Sequence, residues 1–329
     1  MNARPKLSMK VRFALIFSPV VLIAGVVEVV FRVRDDKTWY TQLEDEQFFH
    51  QRLDYSSNSM HLRDHEYPCP APPGHQRILF LGDSFTYGTG IPDPADRFTD
   101  LLEARFNQNK PKDSVRQYDV LNAAIPGLLT DQWVRALRGP GTQFGPKLVV
   151  GVFFLRDGTD LFVRADLFNP VRERMVSWQE ESRMARWSAA WRYFRGRFLA
   201  IEMSRDYTNA FHDQYLGSEE QTTEWRRAQQ RLLFMREYSR SIGAEFVLVV
   251  FPVLFELNDD YPFESSCQEI ERYCKEVGIE VFSLLPAYRG LEAKELWVSD
   301  LDQHPNERGH RIAADALEPW LRPMLERSR

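Results

Sequence analysis

The chain has 329 residues, of which 43% are hydrophobic and 13% aromatic, so it can bury a substantial core in one large domain or two ordinary ones. Its net charge of -5 and the lack of a basic stripe with interleaved aromatics argue against nucleic acid as a partner. The spacing of its three cysteines is not that of a zinc site, and the sequence predicts no metal centre.

The N-terminus predicts a membrane anchor. Residues 13–31 are apolar except for Ser18, Pro19, Gly25 and Glu28, and a helix of this length spans about 28 Å, close to the hydrocarbon thickness of a bilayer. Basic residues without any acid precede this run within residues 1–12, which predicts a cytoplasmic N-terminus and a globular part that is periplasmic or extracellular. A cleaved signal peptide is the alternative, but no clear cleavage site follows the apolar stretch.

Residues 32–76 are polar and contain a cluster of prolines, and we interpret them as a lead-in between the anchor and the first strand. From residue 77 to residue 329, strand patterns alternate with helical ones, which predicts an α/β domain with a parallel sheet and helices on both faces. The predicted strands are 78–81, 118–123, 148–155, 245–251 and 279–283. The predicted helices are 97–107, one through 133 and 137, 220–241 and 307–321.

An aromatic-rich insert at about 160–220 interrupts this alternation. Its aromatic residues are Phe162, Phe168, Trp178, Trp187, Trp191, Tyr193, Phe194 and Phe198. An insert at the carboxyl end of a strand could form a lid or a substrate wall over a site. Alternatively, it is a helical subdomain whose aromatics form a small core of their own.

Two short segments about 220 residues apart supply a nucleophile, a base and a carboxylate. Ser84 follows a buried strand, which puts it at the carboxyl end of that strand, where open α/β sheets bind ligands. His304 precedes Pro305 and is therefore predicted to be extended, so Asp302 can lie on the same side and orient the imidazole. Asp300 lies two residues before Asp302, so in an extended segment it points to the same side, and it is the alternative carboxylate.

These residues carry a resemblance to a known family. The run Gly82-Asp83-Ser84-Phe85-Thr86-Tyr87-Gly88, with Asp302-Gln303-His304-Pro305-Asn306 and Gly309-His310, resembles the SGNH (GDSL) hydrolases over roughly residues 60–322. The resemblance implies a flavodoxin-like doubly wound fold and a serine esterase or acyltransferase. The family's acid and base often stand three residues apart, whereas here they stand two apart.

Acyl transfer also needs hydrogen-bond donors for the oxyanion. The backbone N–H of Ser84 is one, because a helical turn is predicted to begin there. The resemblance implies Gly127 N–H as a second, although Pro126-Gly127 is also a simple turn signal. The family's third donor is the side chain of an asparagine. When this sequence is aligned with the family's motif without a gap, Asp157 occupies the position of that asparagine. An ionised Asp157 would repel an oxyanion, so either it is protonated, or it points elsewhere and Arg156 or a backbone N–H substitutes.

Together, the sequence predicts a membrane-anchored serine esterase or O-acyltransferase that acts outside the cytoplasm. Its expected substrate is an O-acyl ester, possibly acetyl, of a glycan or a lipid, and no cofactor is implied. The alternative is a catalytically weak or inactive binding or scaffold protein of an envelope polysaccharide system, in which Asp157 has removed efficient turnover.

Overall fold

Five parallel strands form the centre of the chain in a computed structural model, which describes residues 8–34, 57–110, 115–159, 184, 187–299 and 302–327. The strands are β1 (His75–Leu81), β2 (Gln117–Asn122), β3 (Leu148–Phe154), β4 (Glu245–Phe251) and β5 (Glu280–Ser283), in the spatial order β2-β1-β3-β4-β5. Each predicted strand is present within a few residues of its expected bounds. The predicted α/β class and the doubly wound parallel sheet are therefore confirmed.

After the first helix, which precedes the first strand, the described helices alternate with the strands. They are α1 (Met9–Arg34), α2 (Ser84–Tyr87), α3 (Phe98–Gln108), α4 (Thr130–Ala136), α5 (Thr142–Phe144), α6 (Ala189–Leu216), α7 (Thr223–Ser241), α8 (Glu264–Glu276), α9 (Leu285–Tyr288) and α10 (Glu307–Arg327). The strand order reverses at β1, and because crossovers are right-handed, α3 and α4 lie on opposite faces of the sheet. α3 packs with α10, and α4 packs with α7. This reversal opens a crevice at the carboxyl ends of β1 and β3.

The chain divides into two compact units. One comprises Met1–Gln47 with Ala165–Asp206, and the other comprises Phe48–Arg164 with Tyr207–Arg329 and contains the sheet. This differs from the predicted boundary at residue 77, because part of the lead-in is built into the sheet-containing unit. Leu62 and Tyr67 belong to its hydrophobic core, and the Tyr67 hydroxyl donates to the Val120 carbonyl at 2.8 Å.

The insert contributes the first part of α6 to the other unit. Trp187, Trp191, Tyr193, Phe194 and Phe198 are exposed there, so these aromatics do not form a buried core of their own. Phe162, Phe168 and Trp178 lie outside the described residues. Nowhere in the described part of the chain does a helix combine the length and the apolarity needed to cross a bilayer.

Candidate active site

The predicted nucleophile stands on a tight turn after the central strand β1. Gly82 follows the strand directly, and a Cβ there would lie 2.2 Å from the Thr86 hydroxyl, so the turn can close only around a glycine. Asp83 is extended, and its Oδ1 accepts the Phe85 N–H at 2.9 Å, which caps α2. Ser84 is therefore the first residue of α2 and lies at the carboxyl end of the sheet.

Ser84, His304 and Asp302 are joined by hydrogen bonds. The Ser84 Oγ lies 2.9 Å from His304 Nε2, and Asp302 Oδ1 contacts His304 Nδ1. A carboxylate can only accept, so Nδ1 carries the proton and Nε2 is left to accept the serine proton. The structure thus brings Ser84 together with Asp302 and His304, which lie about 220 residues away in the sequence. Asp300, the alternative carboxylate, lies outside the described residues.

A small antiparallel bridge fixes the loop that carries the histidine. Trp297 pairs with Pro305, and the Val298 N–H donates to the His304 carbonyl at 2.9 Å. The Ser299 N–H donates to the Asp302 carbonyl at 3.1 Å, and the Ser299 hydroxyl accepts the Asp302 N–H at 3.0 Å. These bonds hold Asp302 and His304 in one rigid turn.

Asn306 has a structural role in the same loop. Its amide donates to the Trp297 carbonyl at 3.0 Å and to the Glu295 carbonyl at 2.9 Å. Its Oδ1 accepts the Gly309 N–H at 3.1 Å, which caps α10. The run from His304 to Asn306 therefore ends an extended turn and starts the last helix.

Two further contacts at the site were not predicted from the sequence. The ring of Phe85 stacks on Phe154 with centroids 4.2 Å apart and lies 5.4 Å from the imidazole of His304. Gly90 has a φ of +84°, and a Cβ there would lie 2.5 Å from a methyl group of Val298. The loop after α2 thus packs closely against the loop that carries His304.

A buried charge cluster lies next to Ser84. The Arg156 guanidinium donates to Asp83 Oδ2 at 3.0 Å, with 14% and 1% of the two side chains exposed. Burial raises the pKa of the Asp83 carboxyl, and the Arg156 charge opposes that rise. The pair links the carboxyl ends of β1 and β3 directly beneath Ser84.

Asp157 lies in the same buried cluster. It is 2% exposed, its Oδ2 accepts the Phe154 N–H at 2.9 Å, and its Oδ1 has no hydrogen-bond partner among the described residues. Burial raises the pKa of Asp157 well above its ordinary value, and the negative charge of Asp83 raises it further. Arg156 donates its hydrogen bond to Asp83, which stabilises the charged form of Asp83 against the effect of burial. No hydrogen bond among the described residues connects Asp157 with the triad, so its assignment to the oxyanion stays a prediction.

Gly127 lies in an exposed turn after β2. Its φ is +81°, and the space around its Cα is open. The turn is tied to the nucleophile segment, because the Ile125 N–H donates to the Gly82 carbonyl at 3.4 Å. Asn122, at the end of β2, is buried and donates to the Thr86 carbonyl at 2.7 Å. The edge of β2 therefore supports α2, while the donor role of Gly127 stays a prediction.

His310 is a packed core residue. Its Nδ1 accepts a hydrogen bond from the Phe98 N–H at 3.2 Å, so Nδ1 carries no proton and the ring is neutral. Burial, reinforced by the positive charges of Arg97 and Arg63, lowers the pKa of His310 to about 3. His304 is thus the histidine that contacts the serine.

Comparisons with known proteins find similar folds only. A scan against family models finds no match, and a search of curated proteins finds none either. Among solved structures, TesA is similar at 18% identity and a TM-score of 0.46, over 76% of this chain and 99% of TesA. Axe2, an acetylxylan esterase from Geobacillus stearothermophilus, is similar at 13% identity and a TM-score of 0.44, over 75% of this chain and 93% of Axe2.

A third similar structure is a two-domain esterase active on acetylated mannans. It matches at 14% identity and a TM-score of 0.45, over 78% of this chain. The match spans 51% of that esterase, about half of its length. At this level of similarity, the function of the chain has to be inferred from its own site.

Proposed function

We propose that the chain is a serine ester hydrolase or O-acyltransferase in which Ser84 is the nucleophile, His304 the base and Asp302 the orienting acid. The observation that carries the proposal is the 2.9 Å contact between Ser84 Oγ and His304 Nε2, with Asp302 on the other ring nitrogen. A serine hydroxyl is a weak nucleophile unless such a base takes its proton, and a buried turn that aligns all three groups serves this chemistry.

In the proposed reaction, Ser84 Oγ attacks the acyl carbonyl carbon while its proton moves to His304 Nε2. The carbonyl oxygen becomes an oxyanion, which the N–H groups of Ser84 and Gly127 stabilise. The C–O bond to the alcohol then breaks, and His304 returns the proton to the departing oxygen. Water or a second hydroxyl attacks the acyl-serine by the same steps. In this proposal Asp157 is protonated, since burial and the charge of Asp83 raise its pKa, and a neutral carboxyl does not repel the oxyanion.

We further propose that the enzyme works outside the cytoplasm, attached to a membrane through its N-terminal segment, on an O-acyl ester of a glycan or lipid. The attachment is supported by the basic residues ahead of the apolar run 13–31 and by the exposed apolar side chains of α1, among them Val21, Leu22 and Val33. A reporter that works only outside the cytoplasm should be active when fused after Arg329. Activity of a cytoplasm-only reporter at that position would overturn the localisation.

Labelling with a fluorophosphonate tests the catalytic proposal, because only an activated serine reacts. The purified chain should become labelled, and Ser84→Ala should remain unlabelled. Hydrolysis of short acyl esters of p-nitrophenol and then of acetylated glycans would define the acyl group and the acceptor. A folded protein that neither labels nor hydrolyses any ester would instead indicate a binding or scaffold protein.

A further inference from the structure

A carboxylate from α1 caps the start of the aromatic helix α6. Glu28 Oε1 accepts the Ala189 N–H at 2.9 Å, and Oε2 accepts the Ala190 N–H at 3.2 Å and the Ser188 hydroxyl at 2.7 Å. The Ser188 hydroxyl in turn accepts the Trp191 N–H at 3.0 Å. The N–H groups that a helix leaves unpaired at its start are thus satisfied, and a negative charge lies at the positive end of the helix dipole.

Arg32 completes this junction between the two helices. Its Nε donates to Glu28 Oε1 at 2.8 Å, and its guanidinium donates to the Trp187 carbonyl at 2.6 Å. On the same side, the ring of Phe31 contacts the rings of Tyr193 and Phe194, with centroids 4.5 Å and 5.4 Å apart. The start of α6 is therefore fixed to the carboxyl-terminal end of α1.

The aromatic side chains that follow this junction face outwards. Trp187 is 78% exposed, and Trp191, Tyr193, Phe194 and Phe198 are also exposed. The neighbouring turns of α1 expose valine side chains, including Val29, Val30 and Val33. A soluble surface rarely carries so many large apolar groups together, and such a patch marks an interaction site.

The charge pattern favours a lipid surface as the occupant. Residues 187–206 contain four arginines against one glutamate and one aspartate, a net charge of +2. Arg195 lies with its guanidinium 5.6 Å from the centre of the Phe198 ring, and Arg192 stands between Trp191 and Tyr193. The core of a protein interface is depleted of such charges, whereas basic residues mixed with tryptophan and tyrosine are typical of helices that lie among phospholipid headgroups.

We propose that residues 187–198 form an interfacial helix whose aromatic side chains enter the headgroup region of a phospholipid bilayer. The hydrogen bonds of Glu28 fix the start of this helix to α1. This inference rests on the membrane attachment proposed above, and it adds a second contact with lipid that is independent of the catalytic site.

Quenching of tryptophan emission by brominated lipid tests the proposal. The full chain would be incorporated into nanodiscs of phosphatidylcholine and phosphatidylglycerol, with or without bromine on the upper part of the acyl chains. Bromine should decrease the emission, and Trp187→Phe/Trp191→Phe should lose more than half of that decrease. Trp320→Phe, a matched change in the sheet-containing unit, should keep it. Glu28→Ala should weaken the decrease per incorporated chain, because the start of α6 loses its cap.

Each other result has a distinct meaning. Equal quenching in the wild type and in Trp187→Phe/Trp191→Phe would overturn the interfacial helix while leaving the attachment intact. If bromine does not change the emission and the chains are dimeric in the discs, the aromatic surface binds a second copy of the chain and not lipid. A chain that does not enter discs at all would refute the attachment itself, whatever its fluorophosphonate labelling shows.

Discussion

The ion pair between Asp83 and Arg156 gives a quantitative prediction, because Asp83 directly precedes the proposed nucleophile Ser84. Asp83 is 1% exposed, so replacing Arg156 with methionine leaves a buried carboxylate without its cation. Such a loss costs roughly 3–5 kcal/mol of unfolding free energy. We expect about 3 kcal/mol for Arg156→Met, since Asp83 can respond by taking up a proton. Asp83→Asn keeps an acceptor for the Phe85 N–H and leaves an arginine that water can reach, so it should cost about 1 kcal/mol.

The double variant Asp83→Asn/Arg156→Met tests whether the two side chains act as a pair. With neither charge present, it should be about as stable as Asp83→Asn alone, which gives a coupling energy of about 3 kcal/mol. Urea denaturation supplies the free energies, and the rate of fluorophosphonate labelling reports on Ser84. Labelling should fall most in Arg156→Met and recover in the double variant. A coupling energy below about 0.5 kcal/mol would refute the pairing.

Three further predictions follow from the same site. Ser84→Ala and His304→Ala should each abolish most ester hydrolysis, and the double variant should be little worse than either; additive losses in kcat/KM would argue against a shared step. In Asp157→Asn, the unfolding free energy should fall less steeply with rising pH above about 4 than in the wild type, by up to roughly 1.4 kcal/mol per pH unit, because a carboxyl whose pKa is raised by folding stabilises only while protonated. Parallel pH profiles for the two proteins would show that Asp157 is not neutral. Gly90→Ala should slow hydrolysis by pushing on the loop that carries His304, whereas Gly145→Ala, which has a similar φ of +70° but open space, should not.

The sheet and the position of Ser84 at a strand end could be predicted because their signals are local. Continuous apolar runs define buried strands, and the strand–turn–serine pattern at Leu81 to Ser84 places the nucleophile at the strand end. The pairing of Asp83 with Arg156 has no such signal, since it depends on how the ends of β1 and β3 meet in space. The contact between Phe85 and His304 could not be predicted from the sequence for the same reason.

The lead-in was harder to interpret for a different reason. A polar, proline-rich stretch resembles a linker, yet Arg63 is buried and donates to the Gly88 carbonyl at 2.8 Å and to the Ile91 carbonyl. A buried arginine is stable only when its N–H groups are hydrogen-bonded. Here the backbone carbonyl groups of the loop after α2 accept these hydrogen bonds. The polar composition of this segment therefore predicted that it is exposed. In the fold, however, Arg63 is buried and holds the loop that follows α2.

The spacing of two between the acid and the base has a local explanation. Asp302 Oδ1 accepts the His304 backbone N–H at 3.0 Å and also contacts His304 Nδ1, so one oxygen binds both the chain and the ring of the same residue. An aspartate side chain readily bonds a backbone N–H two residues ahead, and this turn fixes the backbone from which the imidazole projects. Pro305 supports it by disfavouring a helical conformation at His304. The carboxylate thus orients the base through the main chain as well as through the ring, and at a spacing of three this particular turn would not form.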